Sequence, residues 1–219
     1  MRIFVHCKLY LIMKNCKSIK LHEEYDLIDI LSLQPSIKKD IKYMTPNNFS
    51  GKILYDEDLG LYCEPALANA VAKAQEDLKS INKDLSLVIF DAARPMSVQK
   101  EMFEMVRGTK NERFIANPYG EYAGGFHNYG MAVDVAIVDK NGAMLDFGTD
   151  YDCFEDVAHS GNEAEMVKCG KLSIEAYQNR TLLYYVMGKN GMLPYTYEWW
   201  HFQITYNEND KLKFKLLDF

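Results

Sequence analysis

Two short segments concentrate the side chains best suited to chemistry. One is Gly124-Gly125-Phe126-His127-Asn128-Tyr129-Gly130-Met131-Ala132-Val133-Asp134, and the other is Glu198-Trp199-Trp200-His201. Together they supply two histidines and two carboxylates, a ligand set that suits a catalytic zinc site with three protein ligands and one open position. His127 and Asp134 are seven residues apart and would lie about 23 Å from each other in a straight strand at ~3.3 Å per residue. Sharing a metal requires the chain to fold back, and Gly130 is a residue that tolerates the necessary backbone angles. Glu198 and His201, three apart, would face opposite ways in a regular strand, so a bend or helical turn must fall between them.

Each of these residues also has a plainer reading. A lone Asp in Ala132-Val133-Asp134-Val135-Ala136-Ile137-Val138 can be a partnered structural residue, because a buried carboxylate requires a cation, a metal or several donors. Alternation puts Val133 and Val135 on one face and Asp134 with Ala136 on the other, which fits a cleft wall better than a core. His201, between Trp200 and Phe202, reads equally as a hydrogen-bonded core histidine. Arg94 sits where a buried strand gives way to Pro95. Its planar fork suits a carboxylate or a developing oxyanion, and equally a salt bridge to Asp91. His6, His22 and His159 have no matching partners, although His159 lies in a polar loop.

The elements around these segments follow from periodicity and punctuation. Residues 24–32 can form a short helix, and 40–52 are turn-rich. The clearest helix spans 65–81, with Pro65 in its first turn and Leu67, Val71, Ala74 and Leu78 at helical spacing. Residues 85–90 read as a buried strand closed by Pro95, and 97–107 as a helix with Ser97 as N-cap. Residues 108–125 are irregular, 132–138 form a strand, and Asp139-Lys140-Asn141-Gly142 a hairpin turn. Residues 148–162 are loop, 173–188 helix, and 195–206 strand by their aromatic and β-branched content. Strands and helices mix without regular alternation, so the expected class is α+β, a single domain with a mostly antiparallel sheet and flanking helices.

Composition narrows the function classes. The 219 residues suffice for one domain with a sizeable core. Lys and Arg number 25 against 31 Asp and Glu, a net charge of −6. That balance lacks the electrostatic footprint of a nucleic-acid binder. No basic stretch would hold the chain to an anionic membrane, and no run of about 20 apolar residues would span one. The five cysteines are odd in number, widely spaced and without a C-x-x-C pair, which argues against a disulfide framework or a cysteine zinc site. The apolar start, residues 1–13, is interrupted by Lys8 and lacks a small-residue cleavage site, so it reads as an N-terminal extension or first strand, with an export signal as the lesser alternative. The expected organisation is an extension over 1–23 and a catalytic domain over 24–219, in the cytoplasm, with periplasmic or exported location as the alternative.

These motifs resemble those of the D-alanyl-D-alanine dipeptidases, the VanX-like branch of the zinc D-Ala-D-Ala peptidases. The family motif Ser-x-His-x-x-Gly-x-Ala-x-Asp corresponds to Gly125–Asp134, and Glu-Trp-Trp-His stands at Glu198–His201. An Arg-Pro after a strand stands at Arg94-Pro95. Further likeness falls at Lys42–Lys52, Leu145–Asp152 and Glu175–Arg180, so the resemblance covers roughly residues 26–206 in order. It implies a hedgehog-like fold, with His127, Asp134 and His201 as zinc ligands, Glu198 as general base, and Arg94 stabilising the tetrahedral intermediate. It implies a small dipeptide substrate with a C-terminal D-residue. Tyr43 resembles a family pocket residue, and Asp152, Glu155 and Asp156 are candidates for meeting the substrate ammonium. Gly125 replaces the family serine, and Phe126 adds bulk beside it. Two alternatives stand beside a dipeptidase: a D,D- or L,D-carboxypeptidase acting on peptidoglycan stems, and a zinc-stabilised binding module without turnover.

Overall fold

The computed structural model describes Leu21 and residues 23–218. The expectation of an extension over 1–23 therefore falls almost wholly outside the described residues, as do His6, His22, Cys7 and Cys16. A five-stranded sheet organises the rest. In spatial order its strands are β2 (Lys38–Lys39), β4 (Ser86–Asp91), β5 (Ala132–Val138), β7 (Glu198–Gln203) and β6 (Leu193–Tyr195). Only the β2–β4 pair is parallel. A separate two-stranded ribbon joins β1 (Ile28–Asp29) to β3 (Tyr62–Cys63). The mixed, mostly antiparallel α+β architecture matches the sequence expectation.

The long helices follow their sequence signals. Helix α2 (Pro65–Ile81) starts where Glu64 accepts hydrogen bonds from the Ala66 and Leu67 amides at 2.9 and 3.2 Å. Pro65, which has no N–H to satisfy, fits its first turn. Leu67, Val71, Ala74 and Leu78, one stripe of that helix, are wholly buried in the main core. Helix α5 (Ile174–Lys189) is capped by the Ser173 hydroxyl, which accepts from the Ala176 amide at 2.9 Å, and it packs against α2. Both helices contact the central strands, α2 against β4 and α5 against β5. Their inward stripes join Leu87, Ile89, Val133, Val135 and Ile137 in the apolar core.

Three boundaries differ from the sequence reading. Residues 24–32 are not one helix. Asp26 takes a left-handed backbone (φ 55°) that breaks it, and Ile28–Asp29 pair as strand before the short α1 (Ile30–Leu33), capped by Asp29. Helix α3 (Met96–Val106) begins one residue early, with Pro95 at its N-cap and Ser97 inside it. The aromatic run 195–206 splits, because Tyr195 ends β6, Thr196 and Tyr197 form the turn, and Glu198 opens β7. The loop 148–162 holds a single 3-10 turn, Asp156–Ala158, and leads into α4 (Glu163–Lys168). Arg180 of α5 is fully buried and donates to the carbonyls of Phe147, Val157 and His159, which clamps that loop to the helix.

Candidate active site and metal centre

The two chemical segments converge on the middle strands. Residues Phe126–Tyr129 form a tight 3-10 turn, and Gly130 ends it with a left-handed backbone (φ 68°). The chain reverses there and enters β5, so the expected fold-back exists. A β-carbon at Gly130 would sit 2.8 Å from the Leu27 side chain, so space as well as backbone angle favours glycine. Asp134 and His201 are cross-strand neighbours in the β5–β7 ladder. The apparent conflict between Glu198 and His201 is resolved by an irregularity. Between Pro194 and Tyr195 the β6–β7 register jumps from Phe202 to Glu198. This extra length on β7 turns Glu198 toward the side of His201, and its Oε2 lies 3.8 Å from His201 Nδ1.

Three polar atoms then meet at one point. His127 Nε2 is 3.1 Å from Asp134 Oδ1 and 3.2 Å from His201 Nδ1, and His201 Nδ1 is 3.2 Å from Asp134 Oδ1. All three residues are buried and could hold a metal ion. Each histidine is oriented from behind. The Ala92 carbonyl lies 2.7 Å from His127 Nδ1, and Gln203 Oε1 lies 3.0 Å from His201 Nε2. An imidazole that donates outward to such acceptors presents a lone pair on its other nitrogen. The inward-facing set is then two lone pairs and a carboxylate oxygen, an arrangement that repels itself unless a cation joins it. Tetrahedral zinc with bonds of ~2.0–2.1 Å places its ligand atoms about 3.3 Å apart, close to the spacing found. The residues fit the metal.

The surrounding groups set the charge. Burial works against the Asp134 carboxylate, but ring protons and their charge at His127 and His201 hold it well below the usual range, and a metal ion in the trio would supply that positive charge in place of the protons. Burial, with Asp134 and Asp152 nearby, pushes Glu198 up to about 8 against the opposing pull of His201 and Arg94. Arg94 makes the salt bridge to Asp91 and also faces the cleft. It donates from Nε to Asp91 Oδ2 at 2.8 Å, with Nη2 2.7 Å from the same oxygen, and from Nη1 to Gln99 Oε1 at 3.0 Å. It also lines the cleft, where Nη2 lies 3.7 Å from Asp134 Oδ2. Burial opposes the guanidinium charge, yet Asp91 keeps Arg94 firmly protonated.

The cleft has a volume of about 480 Å³. Tyr43, Arg94, His127, Asp134, Asp152, Glu198 and His201 all line it, so the structure brings together seven of the nine residues singled out from sequence. Glu155 and Asp156 are not among them. They border a separate depression with Lys110 and Lys171, and the Asp156 side chain is 80% exposed. Of the three candidate acids only Asp152 lines the cleft, while Phe154 borders both depressions. Asp152 itself has a left-handed backbone (φ 60°) and accepts from the Tyr43 hydroxyl at 3.1 Å and the Phe49 amide at 3.1 Å. His159 stays outside the cleft lining.

Several contributing residues escaped sequence reasoning. Tyr151 donates to Asp134 Oδ2 at 2.8 Å, and Tyr55 donates to Asp91 at 2.6 Å. Burial raises both phenols well above their ordinary values, so they remain donors. Gln203, two residues beyond His201 on the same strand face, was detectable by alternation alone. Lys211 lines the cleft from a C-terminal 3-10 turn, Glu208–Lys213, far from every motif.

Comparison with known proteins gives the family. The family model described as D-ala-D-ala dipeptidase matches residues 23–216. The chain belongs to that family. It is a peptidase of the D-Ala-D-Ala class, in a metallopeptidase family. It is 27% identical over 182 residues to the D-alanyl-D-alanine dipeptidase of Escherichia coli K12, covering 82% of this chain and 84% of that one. It is 24% identical over 183 residues to the D-alanyl-D-alanine dipeptidase of Enterococcus faecium, covering 76% and 85%. Among solved structures it aligns with the vancomycin resistance D,D-dipeptidase VanXYg in complex with a D-Ala-D-Ala phosphinate analogue. That match has a TM-score of 0.34, 14% identity, 80% coverage of this chain and 61% of the longer one. No helix among the described residues is long and apolar enough to cross a membrane.

Proposed function

We propose that the chain is a zinc dipeptidase that hydrolyses D-Ala-D-Ala or a closely related cell-wall dipeptide. The observation that carries this reading is the inward-facing trio of His127 Nε2, Asp134 Oδ1 and His201 Nδ1, oriented from behind, with the Glu198 carboxylate 3.8 Å away. Zinc in that place supplies a Lewis acid for the scissile carbonyl and lowers the pKa of water. Glu198 takes the proton from the attacking water and hands it to the leaving amine. A carboxyl whose pKa lies near the working pH does both steps well, and a cation beside Glu198 draws its raised value back toward neutrality. Arg94, fixed by Asp91 and Gln99, holds positive charge where the oxyanion develops. Asp152, with Tyr43 on one of its oxygens, receives the substrate ammonium.

Residues 113–117 and 121–126, apart from Ala123, supply a large part of the cleft lining. That lining favours a dipeptide over a peptidoglycan stem, and the retained Glu198 favours turnover over a binding module without it. The free thiols of Cys63, Cys153 and Cys169 suit the reducing cytoplasm. Purified, zinc-loaded protein is expected to cleave D-Ala-D-Ala, to lose activity with a chelator and to regain it with zinc. The pentapeptide stem and L-Ala-L-Ala are expected to be poor substrates. Activity that persists after chelation and in Glu198→Ala would sink the reading, and preferential stem cleavage would replace it with a carboxypeptidase.

A further inference from the structure

A dipeptidase must hold the substrate's free carboxylate as well as its ammonium. The family serine that could contribute a hydroxyl beside the histidine turn is Gly125 here, and a β-carbon at that position would press to 3.3 Å from the Ala116 side chain. Arg94 is committed to Asp91, Gln99 and, on the dipeptidase reading, the developing oxyanion, and Arg113 is exposed beside the Phe114 ring. Lys211 is different. Only 2% exposed, it lines the cleft and sits over the faces of Phe126 and Tyr129. Its ammonium donates to the carbonyls of Tyr122 at 3.1 Å and Gly124 at 2.9 Å, three residues from His127.

An ammonium has three donors, and the third goes to Glu208. That side chain is 53% exposed and also borders the cleft. A half-exposed carboxylate on a buried lysine is an exchangeable partner. Its departure frees one donor and one positive charge while the two carbonyl bonds keep Lys211 in place. The carboxylate of a dipeptide lies one residue beyond the scissile bond, so its anchor must stand close to the metal trio. The turn that carries His127 is such a place.

Building on the dipeptidase reading, we propose that Lys211 is the anchor for the substrate's C-terminal carboxylate, which displaces the Glu208 side chain on binding. The test compares D-Ala-D-Ala with its C-terminal amide, which has the same shape but no carboxylate charge. Wild type is expected to favour the acid by about ten- to a hundredfold in kcat/KM, mostly through KM, the range of a charge-assisted hydrogen bond. Lys211→Met brings that ratio close to one, Lys211→Arg retains much of it, and Glu208→Gln raises it several-fold by removing the competing carboxylate. A strut with no substrate contact would lower turnover of both compounds together and leave the ratio unchanged, which overturns the proposal. So does a ratio that collapses in Arg113→Ala but survives in Lys211→Met. If Lys211→Met does not fold, Glu208→Gln decides, an unchanged ratio counting against the anchor. The same ratio in Kd, read by calorimetry, judges Lys211 even if wild type turns over neither compound, the result that sinks the dipeptidase reading instead.

Discussion

Gln203 offers the sharpest test of the metal centre, because it touches a proposed ligand without being one. Its Oε1 lies 3.0 Å from His201 Nε2, and its amide donates to the Thr205 carbonyl at 2.6 Å. The second bond settles the amide orientation, so the oxygen faces the imidazole. Gln203→Met removes both bonds at similar volume, while Gln203→Glu keeps an acceptor for His201 and loses only the donor to Thr205. If the bond to His201 holds the ring with its Nδ1 lone pair inward, Gln203→Met weakens zinc binding by about 10–100-fold, or roughly 1.4–2.8 kcal/mol. Gln203→Glu should match or exceed wild-type affinity, because a carboxylate orients the ring as well and makes it more basic. The side chain is buried, so either change also alters the stability of the metal-free fold. Affinity is therefore read by competition with a chromophoric chelator, not by melting temperature. Equal weakening in both variants would assign the effect to the Thr205 bond, and unchanged affinity in Gln203→Met would refute the orienting role outright.

Glu198→Gln should bind zinc normally, by metal analysis, yet lose about 10²–10⁴-fold in kcat, the usual contribution of a general base; a loss under tenfold would assign the proton transfer elsewhere. Arg180→Met strands three carbonyls that the guanidinium now satisfies, at Phe147, Val157 and His159. About 3–5 kcal/mol of stability in urea titration should be lost, at ~1–3 kcal/mol for each buried unpaired group with partial relaxation; a loss below about 1 kcal/mol would show that the loop is held by other contacts. Burial, reinforced by the Asp134 charge, raises Asp152 to about 7 against the Phe49 amide and Tyr43 hydroxyl that favour its carboxylate. The charged form that meets an ammonium therefore fades as pH falls through 7, so KM for the dipeptide should climb between pH 8 and 6. Asp152→Asn should show a high KM without that slope, and a persisting slope would move ammonium recognition to another group.

The parts of the site most legible in the sequence were those with a local rule. Gly130 announced a reversal because few residues adopt its backbone, and Asp134 announced a cleft face through alternation with Val133 and Val135. The helix at 65–81 was readable end to end, because its apolar stripe and its proline agree. What escaped depended on register and distance. No strand rule places Glu198 beside His201; the shift in β6–β7 pairing does so, and it is set by a turn at Thr196–Tyr197 hidden inside one aromatic run. Residues 24–32 failed as a helix because Asp26 adopts a backbone that its residue type allows but does not require. Lys211 has no local signature, since its value comes from what the tertiary fold carries to it, and Tyr151 lies in the Leu145–Asp152 stretch without any sign that it would meet Asp134. Glu155 and Asp156 were candidates by charge alone, and charge does not say which acids of a loop reach the cleft.

On this reading the cleft is a charge ruler. With Asp134, His127 and His201 as ligands, a divalent ion would keep a net charge near +1, which the Glu198 carboxylate would balance. Arg94 and Asp91 cancel, as do Lys211 and Glu208 in the resting state. Asp152 is then the carboxylate without a cation of its own, held by hydrogen bonds and only half committed to ionisation. A free dipeptide completes both ends at once: its ammonium neutralises Asp152, and its carboxylate takes the place of Glu208 on Lys211. A stem peptide has an amide where the dipeptide has an ammonium. It would leave Asp152 buried and either unpaired or protonated, a cost of a few kcal/mol that its additional contacts must recover. Discrimination of this kind does not require the cleft to be too small for a longer chain. It requires only that the two ends of the right substrate carry charges at the separation that Asp152 and Lys211 would set.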